Sequence, residues 1–191
     1  MSPILEAALQ IQAFCAARSW RFCFIGGIVI PRWGEPRTTA DADLTLLTGF
    51  GGEESYVDAL LAAFRARTAD ARKVALERRV VLLEAGNTVP LDISLGALPY
   101  EERLVERSSD FAVAPGVVLR TCSAEDLLVL KAFAGRDLDW VDIRGIAVRQ
   151  SGRLDEALVF RELEPLLELK GTPEAATRLR GMLHGTPTAP A

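Results

Sequence analysis

From Ala40 to Leu47 the chain reads ADADLTLL, and this stretch constrains the fold most. A strand points successive side chains to opposite faces. Ala42, Leu44 and Leu46 therefore face a core, while Asp41, Asp43 and Thr45 face away from it. Neighbours on one face of a strand lie roughly 7 Å apart. Two carboxylates that close repel unless a proton or a cation joins them. A second run, VPLDISLG, repeats the pattern, with Leu91 and Ile93 inward and Asp92 and Ser94 outward. If the two strands are neighbours, three carboxylates converge on one face. Oxygen ligands without His or Cys select Mg²⁺ or Mn²⁺, and that setting suits an in-line phosphoryl displacement. A solvated strand end is the other reading of the same acids.

The rest of the chain frames this feature. Ile4 to Ala17 has helical spacing, and Arg21 to Ile25 is a short buried strand ending in Gly26-Gly27. Glycines there allow backbone N–H groups close to an anion at the start of a short helix; a tight turn fits equally. Pro31 to Thr39 reads as a loop, and Ser55 to Arg67 as a helix. Two β-rich runs around Gly86-Asn87 form a hairpin, so the sheet is mixed. Pro99 to Arg107 is a short helix and Phe111 to Arg120 an extended segment. From Ser123, an N-cap with Asp126 three residues on, the chain turns helical and closes its first helix at Gly135. Three more helical stretches follow.

The expectation is an α/β (α+β) fold: a small mixed β-sheet core over 1–120, a C-terminal helical bundle over 121–184, and a disordered tail over 185–191. At 191 residues, with 49% hydrophobic and 25% charged, the chain buries a sizeable core without disulfides. Three cysteines without C-x-x-C spacing read as reduced thiols of a cytoplasmic protein. No apolar run is long enough for a membrane span, and no basic-then-apolar leader stands at the N-terminus. The single histidine, His184, excludes a Ser-His-Asp triad and a histidine-ligated zinc, and is assigned no chemistry. Chemistry must run on carboxylates, Lys, Arg and backbone. The net charge of −4 does not mark a general nucleic-acid binder.

Arg37 and Thr39 precede the acids in R-x-T-x-D-x-D, where Arg37 serves either a surface ion pair or a triphosphate. Lys131 stands in the apolar stretch LLVLKAFA, where a charge must snorkel or pair. Arg65, Arg67, Arg72, Lys73, Arg78 and Arg79 stand against Asp70 and Glu77, a local excess of four positive charges. That run either steers RNA or nucleotide or is an ordinary solvated helix end and loop. Trp33 and Phe50 are stacking candidates, whereas Trp140 reads as packing.

Gly-Gly after a strand, D-x-D on the next strand and a third Asp in LDI together resemble the DNA polymerase β-type nucleotidyltransferase superfamily. The residue between the aspartates is Ala42, a small member of the hydrophobic class. R-x-T-x-D-x-D, with SAEDLLVLKAFAGRDLDWVDIRGI and its Lys131, Ala134, Arg136, Asp139 and Asp142, is similar to the AbiEii-like nucleotidyltransferases. These include toxins of type IV, abortive-infection toxin–antitoxin systems. The resemblance implies an enzyme that moves a nucleoside monophosphate from an NTP to an acceptor hydroxyl and releases pyrophosphate. Asp41, Asp43 and Asp92 would hold Mg²⁺ (or Mn²⁺), with Asp92 helping to activate the acceptor. Gly26, Gly27, Arg37 and Thr39 would meet phosphates. Lys131 would touch the triphosphate, and Asp142 would orient Lys131 or meet the nucleotide. An RNA 3′ end, such as that of a tRNA, is the favoured acceptor, and an antitoxin protein the implied partner. Nucleotidylation of a protein or a small molecule such as an antibiotic is the alternative. A non-catalytic NTP-binding module and a purely structural interaction module remain as further alternatives.

Overall fold

A computed structural model describes residues 1–185. The chain divides into two compact units, one made of Met1–Ile28 with Thr38–Cys122, the other of Val29–Arg37 with the chain from Ser123 onward.

The first unit holds a seven-stranded mixed sheet. Its strands are β1 (Phe22–Ile25), β2 (Ala42–Leu47), β3 (Arg65–Ala66), β4 (Val80–Glu84), β5 (Pro90–Gly96), β6 (Ser109–Ala114) and β7 (Val117–Thr121), in spatial order β3-β4-β5-β2-β1-β7-β6. The pairs β2–β5 and β1–β7 are parallel and the others antiparallel. Helices α1 (Pro3–Ala16), α3 (Glu53–Ala63), α4 (Ala71–Arg78) and α5 (Pro99–Arg107) accompany it. The core is formed by alternate strand residues, Leu44 and Leu46 on β2 and Leu91, Ile93 and Leu95 on β5, together with Phe24, Val81, Leu83, Leu104 and Leu119. The alternation expected on β2 holds for Ala42, Leu44 and Leu46. Thr45 departs from it, at 3% exposure, because that face of the strand is covered as well.

Three sequence expectations change here. The helix expected to reach Arg67 stops at Ala63, and Arg65–Ala66 pairs with β4 as an edge strand. The extended segment from Phe111 is two strands, because Pro115-Gly116 makes a turn with Gly116 at φ +74°. The basic run includes a short helix, α4, which buries only Ala71 and Ala75 and so leaves little apolar periodicity to read.

The second unit contains α2 (Ile30–Trp33), α6 (Ala124–Ala134), α7 (Asp137–Arg149), α8 (Glu156–Lys170) and α9 (Glu174–Leu183). The loop expected from Pro31 thus begins as a helical turn. Ser123 caps α6 as anticipated, its Oγ accepting from the Asp126 N–H at 3.0 Å, and Gly135 closes the helix at φ +70°. Leu127, Leu128, Ile143, Ile146, Val159, Leu163, Leu167 and Leu179 fill this unit's core. The tail expected to be disordered lies, beyond Gly185, outside the described residues. Among the described residues no helix is long and apolar enough to cross a membrane, and Cys15, Cys23 and Cys122 are free and buried.

Candidate active site

Strands β2 and β5 run parallel with Asp43 directly opposite Asp92. Asp41 lies one residue before β2. One carboxylate oxygen from each of Asp41, Asp43 and Asp92 falls within 4.8 Å of the other two, the one such acidic group among the described residues. All three side chains are half-buried, so water and ligand reach them. The alternation of two strands and their register are sufficient to create this cluster.

Neighbouring groups fix its shape. Thr39 Oγ1 donates to Asp41 Oδ1 at 2.9 Å, orienting that carboxylate. Gly26 follows β1, in the left-handed region at φ +68°, at the start of a 3₁₀ turn through Val29. A Cβ on Gly26 would stand 2.1 Å from Asp43 Oδ2, so only glycine leaves room for that carboxylate. Gly27 is buried in the same turn. Arg67, just past β3, forms an ion pair with Asp92. Burial pushes the Asp92 carboxyl above its ordinary range; Arg67 pulls it down and the Asp41 charge pushes it up, and the net shift is upward. Three hard oxygen donors, mutual repulsion and a side-chain-free approach at Gly26 fit a divalent Mg²⁺ or Mn²⁺.

Within the helical unit, Arg37, Lys131 and Asp142 come together. Arg37 grips Asp142 through two parallel bonds, Nε to Oδ1 at 2.7 Å and Nη2 to Oδ2 at 2.8 Å. Lys131 Nζ lies 2.8 Å from Asp142 Oδ2 and donates to Asp139 Oδ1 at 2.9 Å. Arg136 Nε donates to Asp139 Oδ2 at 2.7 Å. Lys131, Asp139 and Asp142 are all buried. Burial opposes ionisation of the two acids. The hydrogen bonds and charges of Lys131 with Arg136 at Asp139, and with Arg37 at Asp142, outweigh it and hold both below the usual carboxylate range. The charge in LLVLKAFA is therefore paired and buried.

Sequence reasoning missed the contact of Arg67 with Asp92; it named Arg136 and Asp139 with Lys131 in the helical signature but gave them no role. Asp139 and Asp142 are three apart on α7, a spacing that puts both on one helix face and was available to read. Arg67 depends on a strand of two residues and carried no signal. The basic run around it is largely neutralised: Arg65 meets Glu84, Arg72 meets Glu54 and Asp58, Lys73 approaches Glu77, and Arg79 meets Glu53. Of the stacking candidates, Phe50 is exposed beneath the Arg79 guanidinium, Trp33 lies against Arg32, and Trp140 is buried beside Arg178. His184 Nε2 lies 3.3 Å from Glu156.

No protein-family model matches the sequence, and no curated protein matches it. Solved structures do. An antigenic nucleotidyltransferase-like protein from Paracoccidioides brasiliensis superposes with a TM-score of 0.52 at 13% identity, over 93% of this chain and 92% of that one. The antibiotic-resistance factor ANT(2'')-Ia superposes with a TM-score of 0.49 at 18% identity, over 92% of this chain and 95% of that one. The first likeness is one of architecture, and it identifies the mixed α/β arrangement of this chain as a nucleotidyltransferase-like fold.

Proposed function

We propose that this chain is a Mg²⁺-dependent nucleotidyltransferase that moves a nucleoside monophosphate from an NTP to an acceptor hydroxyl. The observation that carries the reading is the in-register placement of Asp43 opposite Asp92, with Asp41 and Gly26 beside them. Asp41, Asp43 and Asp92 would hold the cation, which would supply charge neutralisation for the phosphates. Gly26 and Gly27 let the phosphates approach without side-chain obstruction, and Thr39 keeps Asp41 oriented. The acceptor oxygen attacks the α-phosphorus, the bond to the β-phosphate oxygen breaks, and pyrophosphate leaves. Asp92, whose carboxyl burial pushes up, receives the acceptor's proton.

The favoured acceptor is an RNA 3′ end, as in the AbiEii-like enzymes that the R-x-T-x-D-x-D and helical signatures resemble, with an antitoxin protein as partner. A small-molecule acceptor is the second reading. It is favoured by one observation: the cations that would steer RNA are paired with acids.

The test incubates the protein with α-labelled NTPs, Mg²⁺ and, separately, total RNA, total protein or a panel of antibiotics. Label transferred to one acceptor with pyrophosphate release is expected, and Asp41→Ala should lose it by roughly 100-fold or more. No transfer to any acceptor, with the variant indistinguishable from the parent, overturns the enzymatic reading. Mg²⁺–NTP binding without pyrophosphate release reassigns the chain as a nucleotide-binding module.

A further inference from the structure

Resting on the nucleotidyltransferase reading, we propose that Val80 and Leu82 on β4 seat the terminal ring of the acceptor, that Arg65 on β3 meets its phosphate, and that the acceptor is accordingly an RNA 3′ end. Residues paired across neighbouring antiparallel strands point to the same face of a sheet. Leu82 stands opposite Asp92 and Val80 opposite Ser94, so Val80, Leu82 and Glu84 share the face of the aspartates. On an open sheet face, alternation calls for polar side chains. Strand β4 puts two branched aliphatics there instead, and both are half-buried. Pro90 and Ser94, on the same face of β5, are half-buried as well. One strand further on, Thr45 opposite Ser94 is 3% exposed, and Cys23 opposite Thr45 is buried. At this level the face is closed over β1 and β2 and opens towards β4.

Register sets the order of groups across this face. From Asp43 it runs to Asp92, then to Leu82, then to the basic edge strand β3, in steps of roughly 4.8 Å. Arg67 N–H bonds Leu82 O, and Arg65 stands opposite Glu84. Arg67 pairs with Asp92 and Arg65 with Glu84. The Arg65 side chain is 71% exposed, so donors of its guanidinium beyond the Glu84 pair stay open to a ligand. Asp92 receives the acceptor's proton in the proposed reaction, which puts the reacting hydroxyl over β5. The cation and the NTP phosphates take the β2 side and leave the β4 side for the acceptor's body. That body meets an apolar step at Leu82 and Val80 and a cation about 10 Å from β5. A terminal ribonucleotide offers a match for each: a ribose hydroxyl, a flat ring that packs on aliphatic side chains by dispersion, and a phosphate. A polycationic sugar has no broad apolar face and would set its ammonium groups against Arg65 and Arg67.

The experiment records methyl spectra of the full chain labelled at Val and Leu, with Mg²⁺ and the inert analogue α,β-methylene-ATP present. The chain is titrated with a short single-stranded RNA carrying a free 3′ hydroxyl and, separately, with an aminoglycoside. The RNA should shift the Val80 and Leu82 methyls, and the aminoglycoside should leave them in place. Leu82→Asp should raise the Kd for the RNA about tenfold and Arg65→Ser about fivefold, with the Kd for the Mg²⁺–nucleotide unchanged in both. Leu82→Phe, a broader platform, should lower the RNA Kd. A Leu82→Asp chain that also loses the nucleotide has lost its fold, and Leu82→Phe then decides. Nucleotide binding with RNA shifts elsewhere, or with no RNA binding, overturns the seat and leaves the nucleotidyltransferase reading standing. Aminoglycoside shifts at Val80 and Leu82 overturn the RNA assignment. If the parent binds no Mg²⁺–nucleotide, the nucleotidyltransferase reading falls, and the seat with it.

Discussion

In the proposed site Asp92 would serve two cations. Its carboxylate pairs with the Arg67 guanidinium and belongs to the acidic group that fits a divalent ion. Two positive charges a few ångströms apart repel; after solvent screening the cost of such a contact is about 1 kcal/mol at a half-exposed site, roughly a fivefold change in affinity. At the proposed ion site Arg67 would therefore weaken binding while limiting acid–acid repulsion in the ion's absence. Arg67→Ala is expected to tighten Mn²⁺ binding about fivefold in an electron paramagnetic resonance titration. Weaker binding in the variant would mean instead that Arg67 chiefly holds the Asp92 side chain in place. The three aspartates were readable because strand alternation and a hairpin turn are local signals. The charge balancing them was not, because Arg67 reaches Asp92 only through the pairing of β3 with β4, where Arg67 N–H bonds Leu82 O and Leu82 stands opposite Asp92.

Helix α7 carries two acids whose ionisation is favoured by folding, and this has a pH consequence. Asp139 and Asp142 have folded-state values below the ordinary 3.8. Their contribution is fully present above that ordinary value and disappears as pH falls through the depressed folded values. Asp92 has the opposite sign, because its raised value favours the folded protonated form at low pH. Acid should therefore loosen α6 and α7 before the carboxylate-bearing strands. The measurement is residue-resolved amide exchange between pH 5 and 2.5: protection across 124–149 should fall first. Asp142→Asn should remove part of that pH dependence and lower stability at neutral pH by roughly 3 kcal/mol, since it leaves buried cations undercompensated. Uniform loss of protection across both units would remove the argument. At this scale the helices were legible where caps punctuate them, as at Ser123 and Gly135. They were obscure where they are short and lined with alanine, as in α4. The seating of Val29–Arg37 on α7 is a long-range contact to which no local pattern points.

For the molecule as a whole, if the three aspartates hold a cation as proposed, the cluster should cost stability when no cation is bound, the usual opposition between function and stability. Burial first, and the nearby Asp41 charge after it, push the Asp92 carboxyl up, in keeping with repulsion within the cluster. Asp41→Asn keeps an oxygen for the Thr39 hydroxyl and removes the charge. In EDTA the variant should melt above the parent, by the few degrees that about 1 kcal/mol produces in a chain of this size. Added Mg²⁺ binds the folded parent and not the unfolded chain, so at a hundredfold excess over Kd it should stabilise the parent by about 2.7 kcal/mol. Each kcal/mol corresponds to roughly 2–4 °C, so the melting curves of parent and variant should exchange order as Mg²⁺ is added. The crossing is the diagnostic, because a general salt effect would move both proteins together. A variant that keeps the full Mg²⁺ shift would place the ion away from Asp41, and the chemistry derived from the three aspartates would go with it.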